Sequence, residues 1–350
     1  MKTKNTMRAF VLHGAKDLKL EQRPVPVAGP GEVLLKLRAA GICGSDVHYY
    51  THGRCGNFVP TRPFILGHEF SGEVVQLGDR VNGLAVGQAV AVDPSRPCSR
   101  CKLCRSGRYN LCPQMVYFGS ASVIPPSEGC FSDYVLVPAG NCAPLPDGFK
   151  YSWGALLEPL SVAAHAIHRS GGVAGKRVLI TGGGTIGQMI LKVALTYGAS
   201  CVVVSDPMPH AREFALKSGA IGVLDPMADT MPAEATNWAP GGFDTAFEAS
   251  GAAVAANQAI QLAATGGTIV QVGTLEDGVA LPMNRLLTKE LQYVASWRFA
   301  NVFQEVIQLV SSGRLNVEPL ITRIYPFEKL NEAFIQASSG NGVLKVQISN

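Results

Sequence analysis

Residues 177–187 read Arg177-Val178-Leu179-Ile180-Thr181-Gly182-Gly183-Gly184-Thr185-Ile186-Gly187. The first five residues are mostly branched and apolar, which is typical of a buried strand. The three glycines predict a tight turn, and the apolar residues at helical spacing that follow, up to Gly198, predict a helix. Strand-like runs at 201–205, 245–248 and 268–272 alternate with helical periods. This alternation predicts a doubly wound α/β domain with a parallel sheet.

The glycine turn fits the pattern G-x-G-x-x-G, and Asp206 ends the next predicted strand. In such a unit the glycines permit the turn, the approach of a pyrophosphate and close helix packing. We predict a dinucleotide site made of Gly182, Gly184, Thr185, Ile186, Gly187, Asp206, Val272 and Gly273. The Asp206 carboxylate would bind ribose hydroxyls and repel a 2′-phosphate, and Pro207 follows it instead of an arginine, so NAD is favoured over NADP. The alternative is an ordinary glycine turn with a capping aspartate.

The rest of the chain shows a different pattern of apolar residues, glycine and proline. With 350 residues, two domains are expected. Residues 1–158 contain short apolar runs broken by glycine and proline, which predict antiparallel strands in a partly open barrel or sandwich. After residue 298 we predict a helix that ends at Gly313, and then a last strand. That strand alternates inward Leu344, Val346 and Ile348 with outward Lys345 and Gln347, so we expect it to be half-buried.

Composition excludes several classes of function. The net charge is +4 without a basic run, which argues against nucleic acid as a partner. No apolar stretch approaches the roughly 18 residues of a membrane span, and we identify no signal peptide, so we expect a cytoplasmic protein with no membrane partner. Nine cysteines in such a chain favour metal binding or free thiols over disulfides.

One cysteine cluster has metal-ligand spacing. Cys98, Cys101, Cys104 and Cys112 form C-x2-C-x2-C-x7-C on one loop. Four thiolates can surround Zn²⁺ tetrahedrally and leave no open position, so this zinc would be structural. An iron–sulfur cluster and a nucleic-acid-binding zinc module are the alternatives, although the spacing fits the common ferredoxin patterns poorly and the basic neighbours are few.

A second set of residues suits a metal site with an open position. Cys43 lies in a glycine-rich turn, His68 and Glu69 are adjacent, and Glu158 lies near the inferred domain junction. One thiol, one imidazole and one or two carboxylates suit zinc while leaving room for water or a substrate oxygen. Alone, each has an ordinary alternative: a buried thiol, a hydrogen-bonded core histidine or a surface charge. Spacing does not show that these segments meet in space.

These motifs together resemble the zinc-containing medium-chain alcohol dehydrogenases over the whole chain. The shared features, in order, are Gly41-Ile42-Cys43-Gly44-Ser45-Asp46-Val47-His48, Leu66-Gly67-His68-Glu69, the four-cysteine loop, Glu158-Pro159-Leu160 and the glycine turn at 182–187. Further features resemble the sorbitol dehydrogenase branch: His48-Tyr49-Tyr50, Gly56-Asn57-Phe58, and Glu158 where classical members carry cysteine. Within that branch, Pro94-Ser95-Arg96-Pro97-Cys98, Phe118-Gly119-Ser120-Ala121 and the run from Glu158 to His165 resemble the L-idonate 5-dehydrogenases.

The resemblance implies a GroES-like, partly open β-barrel catalytic domain over 1–158 and 299–350, and a Rossmann NAD-binding domain over 159–298. It implies that Cys43, His68 and Glu69 hold a catalytic zinc, with Glu158 as a direct ligand or as the partner of its water. Ser45 and His48 would relay the substrate proton. Tyr49, Phe118 and Arg298 would line the substrate pocket, where Arg298 could pair with a carboxylate. The family also implies a homo-oligomer, either a dimer or a tetramer.

The resemblance implies reversible NAD-linked oxidation of a secondary hydroxyl of a small sugar acid, from L-idonate to 5-keto-D-gluconate. The nearest alternative is the same chemistry on a neutral polyol such as sorbitol, L-iditol or xylitol. A remoter alternative is a non-catalytic, zinc-stabilised regulator that senses a dinucleotide.

Overall fold

The computed structural model of the chain describes residues 5–340 and 342–350. The chain divides into two compact units. The first unit comprises the residues up to Glu158 together with Phe303–Ser311 and Ile321–Asn350, and the second comprises Pro159–Val302 and Ser312–Leu320. The sequence-based boundaries placed 299–350 wholly in the first domain, whereas 299–302 and 312–320 group with the second unit.

The structure contains the following strands and helices within the described residues. The strands are β1 (Thr6–Gly14), β2 (Asp17–Pro24), β3 (Glu32–Gly41), β4 (Phe64–Ile65), β5 (Glu69–Leu77), β6 (Ala89–Val92), β7 (Ser95–Arg96), β8 (Val116–Tyr117), β9 (Tyr134–Pro138), β10 (Cys142–Pro144), β11 (Arg177–Thr181), β12 (Cys201–Ser205), β13 (Gly222–Leu224), β14 (Phe243–Glu248), β15 (Ala263–Gln271), β16 (Gln292–Ala295), β17 (Ile321–Pro326) and β18 (Lys345–Ser349). The helices are α1 (Gly44–His52), α2 (Lys102–Arg105), α3 (Tyr151–Gly154), α4 (Leu157–Arg169), α5 (Thr185–Thr196), α6 (Pro209–Lys217), α7 (Met231–Trp238), α8 (Ala253–Leu262), α9 (Met283–Thr288), α10 (Phe303–Ser311) and α11 (Leu330–Ser339). None of these helices has both the length and the apolar character needed to cross a bilayer.

The first unit is built on an open, mainly antiparallel sheet. Its strands run in the order β10-β6-β5-β3-β18-β17, and β9 also pairs with β3. A smaller sheet, β2-β1-β4, and the two-stranded ribbon β7-β8 complete the described strands of this unit. Apolar side chains from both larger sheets meet in one core, which includes Phe10, Phe70 and Phe131. The sheet does not close on itself within the described residues, in agreement with the predicted partly open barrel.

The last strand differs from its prediction. β18 lies between β3 and β17, and its first four residues are all buried. Lys345 is 2% exposed and Gln347 is 0% exposed, so the polar face that we expected to meet solvent is also covered. The expectation of a half-buried strand was wrong because polar alternation was taken to mean solvent, whereas these polar side chains face other polar groups.

The second unit contains a six-stranded sheet in the order β13-β12-β11-β14-β15-β16. Every neighbouring pair in it is parallel, which confirms the predicted α/β class. The predicted strands at 177–181 and 201–205 have the observed bounds of β11 and β12. Chain order reverses at β11, which lies between β12 and β14. Ligands of doubly wound sheets bind beyond the carboxyl ends of the strands at such a reversal, which is where the glycine turn begins.

The helix α5 packs directly on the glycine turn. A Cβ atom placed on Gly187 would lie 1.8 Å from the backbone oxygen of Gly182, a separation that no side-chain rotation can relieve. A Cβ atom on Gly184, by contrast, would have no protein atom within 4 Å. The third glycine of the pattern is therefore required by packing within the protein, and the second is not.

We predict that Gly187→Ala destabilises the second unit by about 1–3 kcal/mol, because the overlap outweighs the gain in helix propensity of about 1 kcal/mol. The matched control is Gly184→Ala, which should change the unfolding free energy by less than about 1 kcal/mol. Calorimetric unfolding of both variants at equal metal content measures the difference. Equal unfolding temperatures for Gly187→Ala and the wild type would contradict the packing argument.

Candidate metal centre

Three of the four predicted ligands of the open site meet within the first unit. Cys43 precedes the first turn of α1, Glu69 is the first residue of β5, and His68 directly precedes it. One donor atom from each residue lies within 4.8 Å of the other two. Gly41, directly opposite Glu69 in the β3–β5 ladder, makes this approach possible, because a Cβ atom there would lie 2.1 Å from Glu69 Oε2.

Asp46 joins the two segments that carry these donors. Its side chain is fully buried, and its two oxygens accept hydrogen bonds from the backbone N–H of Cys43 at 3.0 Å and of Gly67 at 3.1 Å. The same carboxylate lies 3.7 Å from His68 Nδ1. Burial raises the pKa of Asp46, while the positive charge of His68 opposes this rise. Asp46 thus fixes the thiol-bearing turn and the histidine-bearing segment before β5 relative to each other.

Lys345 contacts the site from the last strand. Its Nζ donates to Glu69 Oε1 at 2.7 Å, to Glu69 Oε2 at 2.8 Å and to the Ile42 carbonyl at 3.1 Å. Burial lowers the pKa of Lys345, but the negative charges of Glu69 and Cys43 outweigh it, and the net pKa is raised. Glu69 therefore has a buried cation against both of its oxygens.

Glu158 lies in the first turn of α4 and has a different partner. Tyr117, at the end of β8, donates its hydroxyl to Glu158 Oε1 at 2.6 Å. Burial raises the pKa of Glu158 to about 7, against the opposing effects of His68 and Tyr117. Glu158 does not belong to the set of donors that lie within 4.8 Å of one another.

The donor set fits zinc. The side chains of His68 and Glu69 are buried, and one donor atom from each lies within 4.8 Å of the Cys43 sulfur and of the other. The buried carboxylates of Asp46, Glu69 and Glu158 also outnumber the one buried lysine beside them, and a divalent cation would correct this imbalance. Thiolate, imidazole and carboxylate are the donors that zinc takes in catalytic sites, with three protein ligands and one open position.

The other predicted residues of this site occupy several environments. Ser45 and His48 lie on α1 three residues apart, partly buried and exposed respectively, on one face of the helix. Tyr49 is 2% exposed and Phe118 is 4% exposed, so both are packed into the core, and the Tyr49 hydroxyl accepts the N–H of Ala121. Arg298, in the second unit, is partly buried with a left-handed φ of 52°.

The four-cysteine loop forms a second compact donor set. The sulfur atoms of Cys98, Cys101, Cys104 and Cys112 lie within 4.8 Å of one another. Hydrogen bonds from the backbone N–H groups of Arg100 and Cys101 lower the pKa of Cys98 to about 6, which favours its thiolate. The ribbon β7–β8 closes the loop at its base. None of the nine cysteines is in a disulfide.

The residues of the predicted dinucleotide site lie in the second unit. Asp206 follows β12, and its carboxylate accepts the backbone N–H of Gly183 at 2.7 Å and that of Met208 at 2.8 Å. Thr185 and Ile186 begin α5, and Val272 and Gly273 follow β15, where both N–H groups bond to the Glu248 carbonyl. Arg212, which the sequence analysis did not consider, donates to the Asp206 carbonyl and pairs with Asp225 at 3.0 Å.

Sequence reasoning missed Asp46, Tyr117 and Lys345. Asp46 had a detectable local pattern, since an acidic residue three positions after Cys43 fits a capping box, and the structure contains that box. Tyr117 and Lys345 had none, because their contacts with Glu158 and Glu69 span 41 and 276 residues of sequence.

Two family models match the chain: residues 29–147 match the alcohol dehydrogenase GroES-like domain, and residues 185–312 match zinc-binding dehydrogenase. D-xylulose reductase A of Aspergillus niger is 37% identical, covering 98% of this chain and 98% of that protein. Sorbitol dehydrogenase of Gallus gallus is 37% identical, covering 96% of this chain and 94% of that protein. The solved structure of L-idonate 5-dehydrogenase from Escherichia coli K-12 is 35% identical with a TM-score of 0.93, covering 99% of this chain and 98% of that one.

These matches extend over nearly the whole chain, and the two donor sets lie within the range matched by the first model and its flanking strands. The resemblance stated from the motifs is therefore confirmed. The chain belongs to the zinc-containing medium-chain alcohol dehydrogenases, in their sorbitol dehydrogenase-like branch.

Proposed function

We propose that this protein catalyses the reversible NAD-linked oxidation of a secondary hydroxyl of a small sugar acid to a ketone, with L-idonate and 5-keto-D-gluconate as the pair. The convergence of Cys43, His68 and Glu69 on one point carries this proposal, because a thiol, an imidazole and a carboxylate suit a zinc site with an open position. The similarity to L-idonate 5-dehydrogenase supports the choice of substrate.

In this proposal Cys43, His68 and Glu69 hold the zinc directly, since they form the mutually close set, and Glu158 with Tyr117 lies beside it. Zinc, when bound, acts as a Lewis acid that lowers the pKa of the hydroxyl it contacts. Ser45 and His48 would move the released proton outward, because they share one face of α1 and His48 is exposed. Asp46 would keep the His68 ring in place.

The four cysteines would hold a second, structural zinc, because four thiolates complete its coordination. The dinucleotide would bind at the glycine turn with its ribose hydroxyls on Asp206, and NAD would be preferred. Arg298 would pair with the substrate carboxylate. Tyr49 and Phe118 would support the pocket from the core. A homo-oligomeric assembly stays a prediction.

The alternative substrate is a neutral polyol, and the similarity to D-xylulose reductase A and sorbitol dehydrogenase favours it. The identities to these proteins and to L-idonate 5-dehydrogenase differ by 2 percentage points, 37% against 35%, which does not separate the substrates. Only measured activity on each substrate can distinguish a sugar acid from a neutral polyol.

We predict that L-idonate with NAD gives a higher kcat/KM than sorbitol, L-iditol or xylitol, measured by NADH absorbance. Arg298→Gln should lower kcat/KM for L-idonate by about ten- to a hundredfold, because it removes a charged hydrogen bond. Turnover of polyols without turnover of L-idonate would refute the sugar-acid assignment. A complete absence of turnover with every alcohol would favour the non-catalytic regulator.

Metal analysis provides a second test. We expect about two zinc ions per chain, one for each donor set. His68→Ala should remove one ion and lower turnover by about a thousandfold or more. Cys104→Ala should remove the other ion and lower the unfolding temperature. A wild-type protein with only one zinc, insensitive to His68→Ala, would show that the open site binds no metal.

Cofactor choice should depend on Asp206. We predict that Asp206→Asn lowers kcat/KM for NAD by about ten- to a hundredfold and raises the relative use of NADP, because the repulsion of a 2′-phosphate is lost. Glu213→Gln is the control, since it removes the same charge from an exposed position on α6. Equal NADP-to-NAD ratios for the wild type and Asp206→Asn would remove Asp206 from cofactor selection.

A further inference from the structure

We propose that the positive charge of Lys345 adjusts the charge of the open metal site. This charge weakens the binding of zinc there, and it leaves the bound zinc a stronger Lewis acid than it would be with Cys43, His68 and Glu69 alone. This inference rests on the proposed zinc site at Cys43, His68 and Glu69. It assigns to Lys345 a positioning and charge-balancing role, not contact with substrate.

The geometry is specific to this site. Lys345 Nζ donates three hydrogen bonds to this site. Two go to the Glu69 carboxylate, and one goes to the carbonyl of Ile42, the residue before Cys43. Lys345 is 2% exposed and Glu69 is 0% exposed, so water does not screen their interaction. A buried lysine of this kind requires a charged partner.

Backbone hydrogen bonds of β18 hold Lys345 in position beside Glu69. The strand β18 pairs with β3 at Gln347 and Gly41, and the Ile42 N–H donates to the Val346 carbonyl at 3.0 Å. The Gln347 side chain also donates to the Ser152 carbonyl at 2.9 Å. The ammonium group is thereby fixed against Glu69 by the strand that carries it.

The consequence follows from the charges of the groups involved. A thiolate and a carboxylate together offset the full charge of Zn²⁺, and a neutral imidazole adds nothing. Lys345 restores one positive charge to this set. Coulomb repulsion between the ammonium and the ion must then weaken zinc binding, and the shared carboxylate donates less electron density to the ion. Lys345 therefore lowers the affinity of the site for zinc and raises the Lewis acidity of the bound ion.

Three variants of the full chain test this: Lys345→Met, Lys345→Gln and Lys345→Arg. Zn²⁺ affinity is measured by competition with a chelator, and the unchanged four-cysteine site provides the internal reference. We expect both neutral variants to bind zinc at the open site about tenfold more tightly or better, and the arginine variant to resemble the wild type. Glutamine can still donate hydrogen bonds to Glu69, so this variant serves if the methionine variant does not fold.

Thermal unfolding gives an independent measurement. Without zinc, the neutral variants should unfold at a lower temperature than the wild type, because Glu69 is left as a buried charge without a counter-charge. Added Zn²⁺ should raise their unfolding temperature by more than it raises that of the wild type, since the ion then replaces the lysine.

The sign of the affinity change decides the matter. A lysine that only holds the structure together would weaken zinc binding when replaced, so unchanged or weaker binding in both neutral variants overturns the inference. A wild-type chain that binds zinc only at the four cysteines overturns the proposed function itself, and this result appears before any variant is compared.

Discussion

Burying three carboxylates beside one apolar core is the constraint on which the first unit depends. The free energy of transferring such charges from water is large, and only neighbouring positive charge and hydrogen bonds can offset it. Asp46 obtains backbone N–H groups, Glu158 obtains the Tyr117 hydroxyl, and Glu69 obtains Lys345. The remaining excess of negative charge, together with the close approach of the Cys43, His68 and Glu69 donors, defines a place for a cation.

The same constraint explains why distant segments of the chain meet. Glu69 needs Gly41 opposite it so that its carboxylate can pass the neighbouring strand, and it needs the last strand to bring a lysine to it. Tyr117 ends the ribbon that closes the four-cysteine loop, and its hydroxyl holds Glu158. The four-cysteine loop and Glu158 are therefore connected through a single side chain, so the order of the cysteine loop contributes to the orientation of Glu158.

Local patterns in the sequence were sufficient for the features that depend on near neighbours. The strands at 177–181 and 201–205, the glycine turn and the four-cysteine loop were all predicted, because a few adjacent residues determine each of them. Lys345 and Tyr117 could not be predicted, because each acts on a residue far along the chain. Alternation at 344–348 indicated a strand correctly, but it could not show that the polar face would meet a buried carboxylate instead of water.

The pairing of Lys345 with Glu69 also determines an order of events during synthesis and folding of the chain. These partners are 276 residues apart, and β18 must enter the sheet between β3 and β17 before they can meet. While the ribosome is still translating residues before 345, Glu69 has no lysine to neutralise it and β3 lacks one of its neighbours. Such non-local pairing slows folding and leaves strand edges uncovered in the interim. The edge of β3 that β18 covers, and the carboxylate of Glu69, therefore stay without these partners until the last strand has been synthesised.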